Sequence, residues 1–270
     1  MKTTRPNHAK RRTTRHDPRL HASRLGKAKT PEAIVVTICT PAYAHLREDA
    51  VKRFKQCFGL PVQVIEADDK DGYATKLMLD LHCGPQTLIF CDLDWWPLRP
   101  IPPQVWQSGA WCAVRDHGHK HPNSFASHDI AKHRLDALRY FNSGFFVCNL
   151  ANPQHVAAFK LARAILGDVR AAKRPKVGDF GEQFYLNAAV HEYGVPLNLL
   201  PVGFNWIRGY AEHGMFPYVP RVVYGVHAAG VPLAGKHEHL LAMEKVFGHA
   251  CAPLCVGVAE EHIAMSVELA

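Results

Sequence analysis

The chain has no uninterrupted apolar run long enough to cross a bilayer, which excludes a bundle of membrane-spanning helices. Its opening stretch, MKTTRPNHAKRRTTRH, is basic, but no apolar segment follows it, so it does not read as a secretory leader. No Gly-x-Gly-x-x-Gly follows the first apolar strand and no Walker lysine occurs, so dinucleotide-binding and P-loop readings fail. There is no internal repeat. Beyond residue 30 there is also almost no net charge: ten basic residues stand against the single acid Asp17 in residues 1–30, leaving the other 240 residues at −1 of a total of +8.

What is present is ordinary for a soluble globular protein: 270 residues, 47% hydrophobic and 21% charged. That length can bury a substantial core in one large α/β domain or two small ones. The charge divides it into a basic tail, 1–30, and a near-neutral body, 31–270. The tail reads either as a disordered solubilising arm or as a tether to a polyanion such as DNA, RNA or an anionic membrane surface. Eight cysteines are scattered, several inside apolar runs (Cys39, Cys91, Cys148), as expected of reduced, buried thiols in a cytoplasmic protein.

In the body, AIVVTICT (33–40) is β-branched and reads as a buried strand. EDAVKRFKQCFG (48–59) is an amphipathic helix stopped by Gly59, VQVIEA (62–67) a strand, YATKLMLDLH (73–82) a helix, and TLIFCDLD (87–94) a third strand. GAWCAVRD (109–116) and SGFFVCNL (143–150) are further strands. Asn152 and Pro153 open a helix over 152–167, EQFYLNAAVHEYG (182–194) is another, VPLNLLP and RVVYGVH are late strands, and HEHLLAMEKVFGH (237–249) is a final helix. Alternating strands and helices, with apolar leading strands, predict an α/β fold with a mostly parallel central sheet flanked by helices. Ligands in such sheets bind beyond the carboxyl ends of the strands. DHGHKHPNSFASHD (116–129) is too polar for a regular element and reads as a site loop.

The third strand runs straight into Asp92 and Asp94. Two carboxylates on one side of a strand repel unless a cation lies between them. A hard divalent ion, Mg²⁺ or Mn²⁺, takes oxygen ligands and substrate phosphates together; a solvated pair capping the strand is the plainer reading. His227 ends the apolar strand RVVYGVH much as Asp94 ends TLIFCDLD. A lone strand-end histidine is ordinarily a surface residue; beside an Asp-x-Asp strand it reads as a third ligand, and imidazole favours Mn²⁺.

TPAYA, YATKL, the Asp-x-Asp strand, FNSGFFV, GEQFYLN, LPVGFNW and VHAAG follow one another in that order. Together they resemble the GT-A glycosyltransferases of the family-8, glycogenin-like type, over residues 34 to 236. The resemblance implies one GT-A domain spanning 31–270. It implies a nucleotide-sugar donor, UDP-glucose by default, a hydroxyl acceptor on a sugar or protein, and transfer with retention. It assigns Thr40 and Tyr43 to the base, and Lys76 to the sugar or phosphate. Asp92, Asp94 and His227 go to the metal, Asn142, Ser143 and Gly144 to the donor sugar, Glu182 and Gln183 to the reacting carbon, and Gly230 to the phosphates. The chain departs from the pattern at Glu182, where the family has aspartate, and at Leu233, where it has a lysine that Lys236 would replace. It departs again at Trp95 and Trp96, where the family has small aliphatics. Glu182 or Gln183 would be the nucleophile of a double displacement, whereas front-face attack needs none and is preferred.

The basic tail points to an acceptor hydroxyl carried on a base in DNA, stacked by Trp95, Trp96 or Phe125. The tryptophans read either as core or as that acceptor wall. Other readings are a metal-dependent nucleotidyltransferase and a non-catalytic nucleic-acid-binding protein. The alternating His117, His119 and His121, with His128 and His133, suggest acceptor binding, mere polarity or a structural zinc or copper; His249, Cys251, Cys255 and His262 suggest a tetrahedral site or tail packing.

Overall fold

A computed structural model describes residues 33–121, 124–171, 181–218 and 220–248, with the side chains of Phe125 and 169–171 outside that description. The basic tail and the His249–His262 group therefore lie outside the described residues.

Among the described residues, nine strands and nine helices follow one another along the chain. They are β1 (Ala33–Cys39), α1 (Arg47–Phe58), β2 (Val62–Glu66), α2 (Gly72–Lys76), α3 (Leu79–His82), β3 (Thr87–Cys91), β4 (Trp95–Pro97), α4 (Gln104–Gln107) and β5 (Trp111–Arg115). Next come α5 (Phe125–His133), β6 (Phe141–Asn149), α6 (Pro153–Ala171), α7 (Glu182–Glu192), β7 (Leu197–Leu200), β8 (Trp206–Ile207), α8 (Arg208–Glu212), β9 (Gly225–His227) and α9 (Lys236–Phe247). The main sheet has the order β2-β1-β3-β6-β5-β7. Only β6 runs against the rest, which fits the expected mostly parallel sheet. A smaller sheet, β4-β9-β8, sits beside it.

Strand alternation sends successive residues to opposite cores. Ile89 and Cys91 of β3 pack with Phe54 of α1 and with Trp95 and Trp96, while Leu88 and Phe90 pack with Phe159 of α6 and Phe184 of α7. Asn152 caps α6 by accepting from the Gln154 N–H at 2.9 Å.

Four expectations are corrected. YATKLMLDLH forms two short helices rather than one. The polar 116–129 stretch holds a 3₁₀ turn (His117–Lys120) and the start of α5, whose cap Ser124 accepts from Ser127 N–H at 3.1 Å. RVVYGVH pairs only over its last three residues, because β9 meets only the three-residue β4 and the two-residue β8. Trp95 and Trp96 are fully buried, so they are core and cannot form an acceptor wall. The Trp95 ring stacks on Phe145 at 4.5 Å and donates its N–H to the Phe204 carbonyl at 3.0 Å; Trp96 donates to the Leu93 carbonyl at 3.1 Å. Gly225 makes room for Trp95: a Cβ there would lie 2.3 Å from its ring.

Candidate active site

A cleft of about 380 Å³ opens at the carboxyl ends of β1 and β3, where β6 and β9 also arrive. It brings together every residue that the glycogenin-like resemblance assigns to the site: Thr40 and Tyr43, Lys76, the Asp92–Asp94 pair, Asn142 to Gly144, Glu182 and Gln183, and His227, Gly230 and Lys236. A larger open groove of about 940 Å³ lies behind it and contains none of these side chains except Thr40.

Asp92 and Asp94 sit in the turn after β3, not on the strand itself. That turn is fixed by Asp92 N–H donating to the Gly144 carbonyl at 2.8 Å and Trp95 N–H donating to the Asp92 carbonyl at 3.0 Å. One ligand atom from each of Asp92, Asp94 and His227 lies within 4.8 Å of the others. Both carboxylates already hold a lysine. The Lys76 ammonium, at the end of α2, lies 2.9 Å from Asp92 and 2.7 Å from Glu182. Lys236, at the start of α9, donates to Asp94 at 2.5 Å and to the Ala228 carbonyl at 2.6 Å. Burial by itself would raise the Asp94 carboxyl, but the His227 ring and then the Lys236 ammonium hold it well below the ordinary carboxylate range. Burial works against the Lys76 charge, and Asp92 and Glu182 overcome it, so this ammonium stays protonated far above neutral pH.

A chain of amides fixes the His227 ring. Gly144 N–H donates to Asn142 Oδ1 at 3.0 Å, so that atom is the amide oxygen; Asn205 Nδ2 donates to the same oxygen at 2.9 Å. Asn205 therefore turns its own Oδ1 to His227 Nδ1, 3.1 Å away. Nδ1 therefore donates to Asn205, and Nε2 is left facing Asp94 Oδ1 at 3.4 Å. A ring nitrogen can face a carboxylate this closely only with a proton or a metal cation between them. The donor set, two carboxylates and a neutral imidazole oriented from behind, fits a divalent metal such as Mn²⁺ or Mg²⁺. Gly144 also leaves the ring its space: a Cβ would lie 2.2 Å from His227 Cε1.

The second carboxylate cluster is at Glu182, the first residue of α7. Its Oε1 accepts from Lys76 and from Ser143 Oγ at 3.0 Å, while its Oε2 is buried with no partner. Gln183 accepts from Ser143 N–H at 3.1 Å and donates to Asp116 Oδ2 at 2.7 Å. At the other end, Tyr43 is half-buried; burial, and then Asp94, push its phenol upward, so it is neutral. The Thr40 hydroxyl and the Ala42 N–H hold the exposed Asp69 carboxyl low.

Four cleft residues with polar side chains carried no assignment from sequence: Tyr73, Asp69, Asp116 and Tyr210. Asn205, behind His227, was likewise quoted without a role. Asp116 ends an apolar strand as the Asp92 segment does, and that signal was available. The histidine-rich stretch is packed rather than assembled around an ion. His117 is buried against Phe216, His119 contacts Arg115 and the Asp116 carbonyl, and His133 lies on Phe184. Among the described residues the Asp92–Asp94–His227 group is the one cluster of this kind.

No family model matches this chain, and no curated protein matches it in sequence. Solved structures do match. The galactosyltransferase LgtC, in complex with donor and acceptor sugar analogs, is similar over 82% of this chain and 98% of its own at 13% identity and a TM-score of 0.55. Mouse xyloside xylosyltransferase 1 is similar over 74% and 98% at 13% identity and 0.51. GlyE from Streptococcus pneumoniae TIGR4 is similar over 80% and 62% at 13% identity and 0.52. An LgtC active-site variant with glutamine replaced by glutamate also matches, at 14% identity and 0.54. The described residues carry the GT-A glycosyltransferase fold, a mixed α/β architecture with a central, mostly parallel sheet.

Proposed function

We propose that this protein is a divalent-metal-dependent glycosyltransferase, of the glycogenin-like kind, that moves a sugar from a nucleotide-sugar donor to a hydroxyl acceptor. One observation carries the reading: the Asp92–Asp94–His227 group stands in the cleft with two buried lysines, Lys76 and Lys236, on its carboxylates. Bound there, a metal would neutralise the leaving diphosphate as a Lewis acid. Lys76 and Lys236 would move from the aspartates toward the same phosphates, adding preorganised positive charge. Thr40 and Tyr43 would take the base, with uracil the first choice. Asn142, Ser143 and Gly144 shape the wall against the donor sugar, and Gly230 lies at the phosphate end.

Glu182 and Gln183 lie against the reacting sugar. The unpartnered Glu182 Oε2 would accept a hydroxyl of that sugar. The Gln183 oxygen is already engaged by Ser143 N–H, which favours front-face attack over an amide nucleophile, with retention. LgtC, whose active-site glutamine has been replaced by glutamate in one similar structure, offers the analogy for a glutamine in the site.

The acceptor we favour is a hydroxylated base in DNA. The support is the placement of positive charge in residues 1–30, a pattern suited to a polyanion. Deleting residues 1–30 should abolish DNA binding and leave donor hydrolysis intact; unchanged DNA binding and unchanged activity on every acceptor would refute this part. We place the protein in the cytoplasm. The six cysteines of the described residues are all free, and no helix among those residues is long and apolar enough to cross a membrane.

A panel of nucleotide sugars with Mn²⁺ tests the main reading. Slow hydrolysis of one donor, releasing the nucleoside diphosphate and lost in Asp92→Asn, is expected. Release of pyrophosphate would favour a nucleotidyltransferase, and no metal-dependent turnover would favour a non-catalytic nucleic-acid-binding protein.

A further inference from the structure

Asp116 follows β5 and is 2% exposed. Its carboxylate accepts from three neutral donors in three different segments. Oδ1 accepts from Gly118 N–H at 2.7 Å, within its own turn, and from the Tyr210 hydroxyl of α8 at 2.8 Å. Oδ2 accepts from Gln183 Nε2 of α7 at 2.7 Å. The fit is tight: a Cβ on Gly118 would lie 2.6 Å from the Tyr210 hydroxyl.

Gln183 is itself buried, and its other amide atom accepts from Ser143 N–H at 3.1 Å. One turn along α7, Asn187 reads the Phe141 backbone in the same way, accepting its N–H at 2.8 Å and donating to its carbonyl at 2.9 Å. Two side-chain amides thus clip α7 to β6 behind the cleft wall. The Asn187 clip is symmetric and needs no third party. The Gln183 clip is not. Turned over, its oxygen would face the Asp116 carboxylate and its amide N–H would face Ser143 N–H, losing both bonds between residues that are almost fully buried. Asp116, together with the Ser143 N–H, therefore holds the Gln183 amide in one orientation.

We propose that Asp116 is a positioning residue for sugar transfer, acting through Gln183 and braced by Tyr210. The inference rests on the glycosyltransferase reading. It gives Asp116 no contact with the metal ligands and none with the nucleotide end of the cleft.

The test is a double-mutant cycle on donor hydrolysis. Asparagine at 116 offers one oxygen to three donors and sets an N–H₂ against one of them. Asp116→Asn should lower kcat by roughly 10–100-fold, the usual effect of losing a partner that orients a site residue, with donor KM and Mn²⁺ affinity close to wild type. In Gln183→Glu the sign should reverse. Glutamate would face Asp116 as a second buried carboxylate, so adding Asp116→Asn should raise kcat over Gln183→Glu alone. A structural role alone would not reverse sign. Equal factors in both backgrounds, or a wild-type kcat in Asp116→Asn, would overturn the proposal. If Asp116→Asn does not fold, Tyr210→Phe removes one brace only and should lower kcat with KM unchanged; an unchanged kcat there would count against it equally. Wild-type protein that hydrolyses no donor sinks the glycosyltransferase reading, whereas an active wild type with an additive cycle sinks the role of Asp116 alone.

Discussion

Asp94 and Asp116 are both buried aspartates just past the carboxyl end of a main-sheet strand, and they have opposite surroundings. Asp94 is held by a lysine ammonium and faces a histidine ring nitrogen; Asp116 is held by an amide, a hydroxyl and a backbone N–H. The partners, not the position, set the chemistry. Asp94 keeps its charge through the ring and the ammonium beside it, which on the proposed function give way to a metal and a diphosphate. Asp116 accepts from three neutral donors on three segments and ties them together as a hub. The cleft thus has a charge-exchanging end and a rigid end, and breaking each should leave a different trace.

The largest effect is expected at the charged end. Asp94→Asn removes one ligand and leaves Lys236 buried beside a neutral amide. Mn²⁺ binding should be lost and activity should fall on the order of 10²–10³-fold, as for removal of one preorganised electrostatic contact. The unpaired lysine should also cost roughly 3–5 kcal/mol of stability, readable by denaturant titration. Asp116→Asn, by contrast, should leave Mn²⁺ affinity in place.

Next is Asn205→Leu, which cuts the amide chain that fixes the His227 tautomer without touching a ligand. Mn²⁺ affinity should fall by about 10–100-fold in calorimetry. If it is unchanged, His227 is not oriented from behind.

The smallest effect concerns Asp129, which neighbours the rigid end through Tyr140. Its carboxyl is buried and accepts from the Tyr140 hydroxyl at 3.3 Å. Burial pushes it up to about 6, against the lowering influence of Tyr140, Lys132 and His128. The folded chain holds this proton more tightly than the unfolded one, so its contribution to stability is full below about pH 4 and lost as pH rises through about 6. Asp129→Asn should therefore raise the melting temperature by a few degrees at pH 8 and leave it nearly unchanged at pH 4.

The charged end was legible in the sequence because its signals are local. An apolar strand running into Asp-x-Asp, a strand ending in His227, and short motifs in a fixed order all survive without coordinates. The rigid end was not. Asp116 opens a stretch dense in histidine and reads as loop, although Ser124 carried the cap that announces α5. Asn205 lies 22 residues from His227, and no spacing rule links a backing amide to a ligand at that distance. Trp95 and Trp96 were ambiguous for a different reason. Large aromatics beside a site look the same as core or as wall until the glycine opposite them, Gly225, is placed.

The central claim is that Asp92, Asp94 and His227 hold a divalent ion together with a nucleoside diphosphate. Titrating Mn²⁺ into the protein with and without uridine diphosphate tests it most directly. The account predicts one saturable site, tightened by the nucleotide as Lys76 and Lys236 are drawn off the aspartates, and absent in Asp94→Asn. Binding that survives Asp94→Asn, or that is indifferent to the nucleotide, would contradict it.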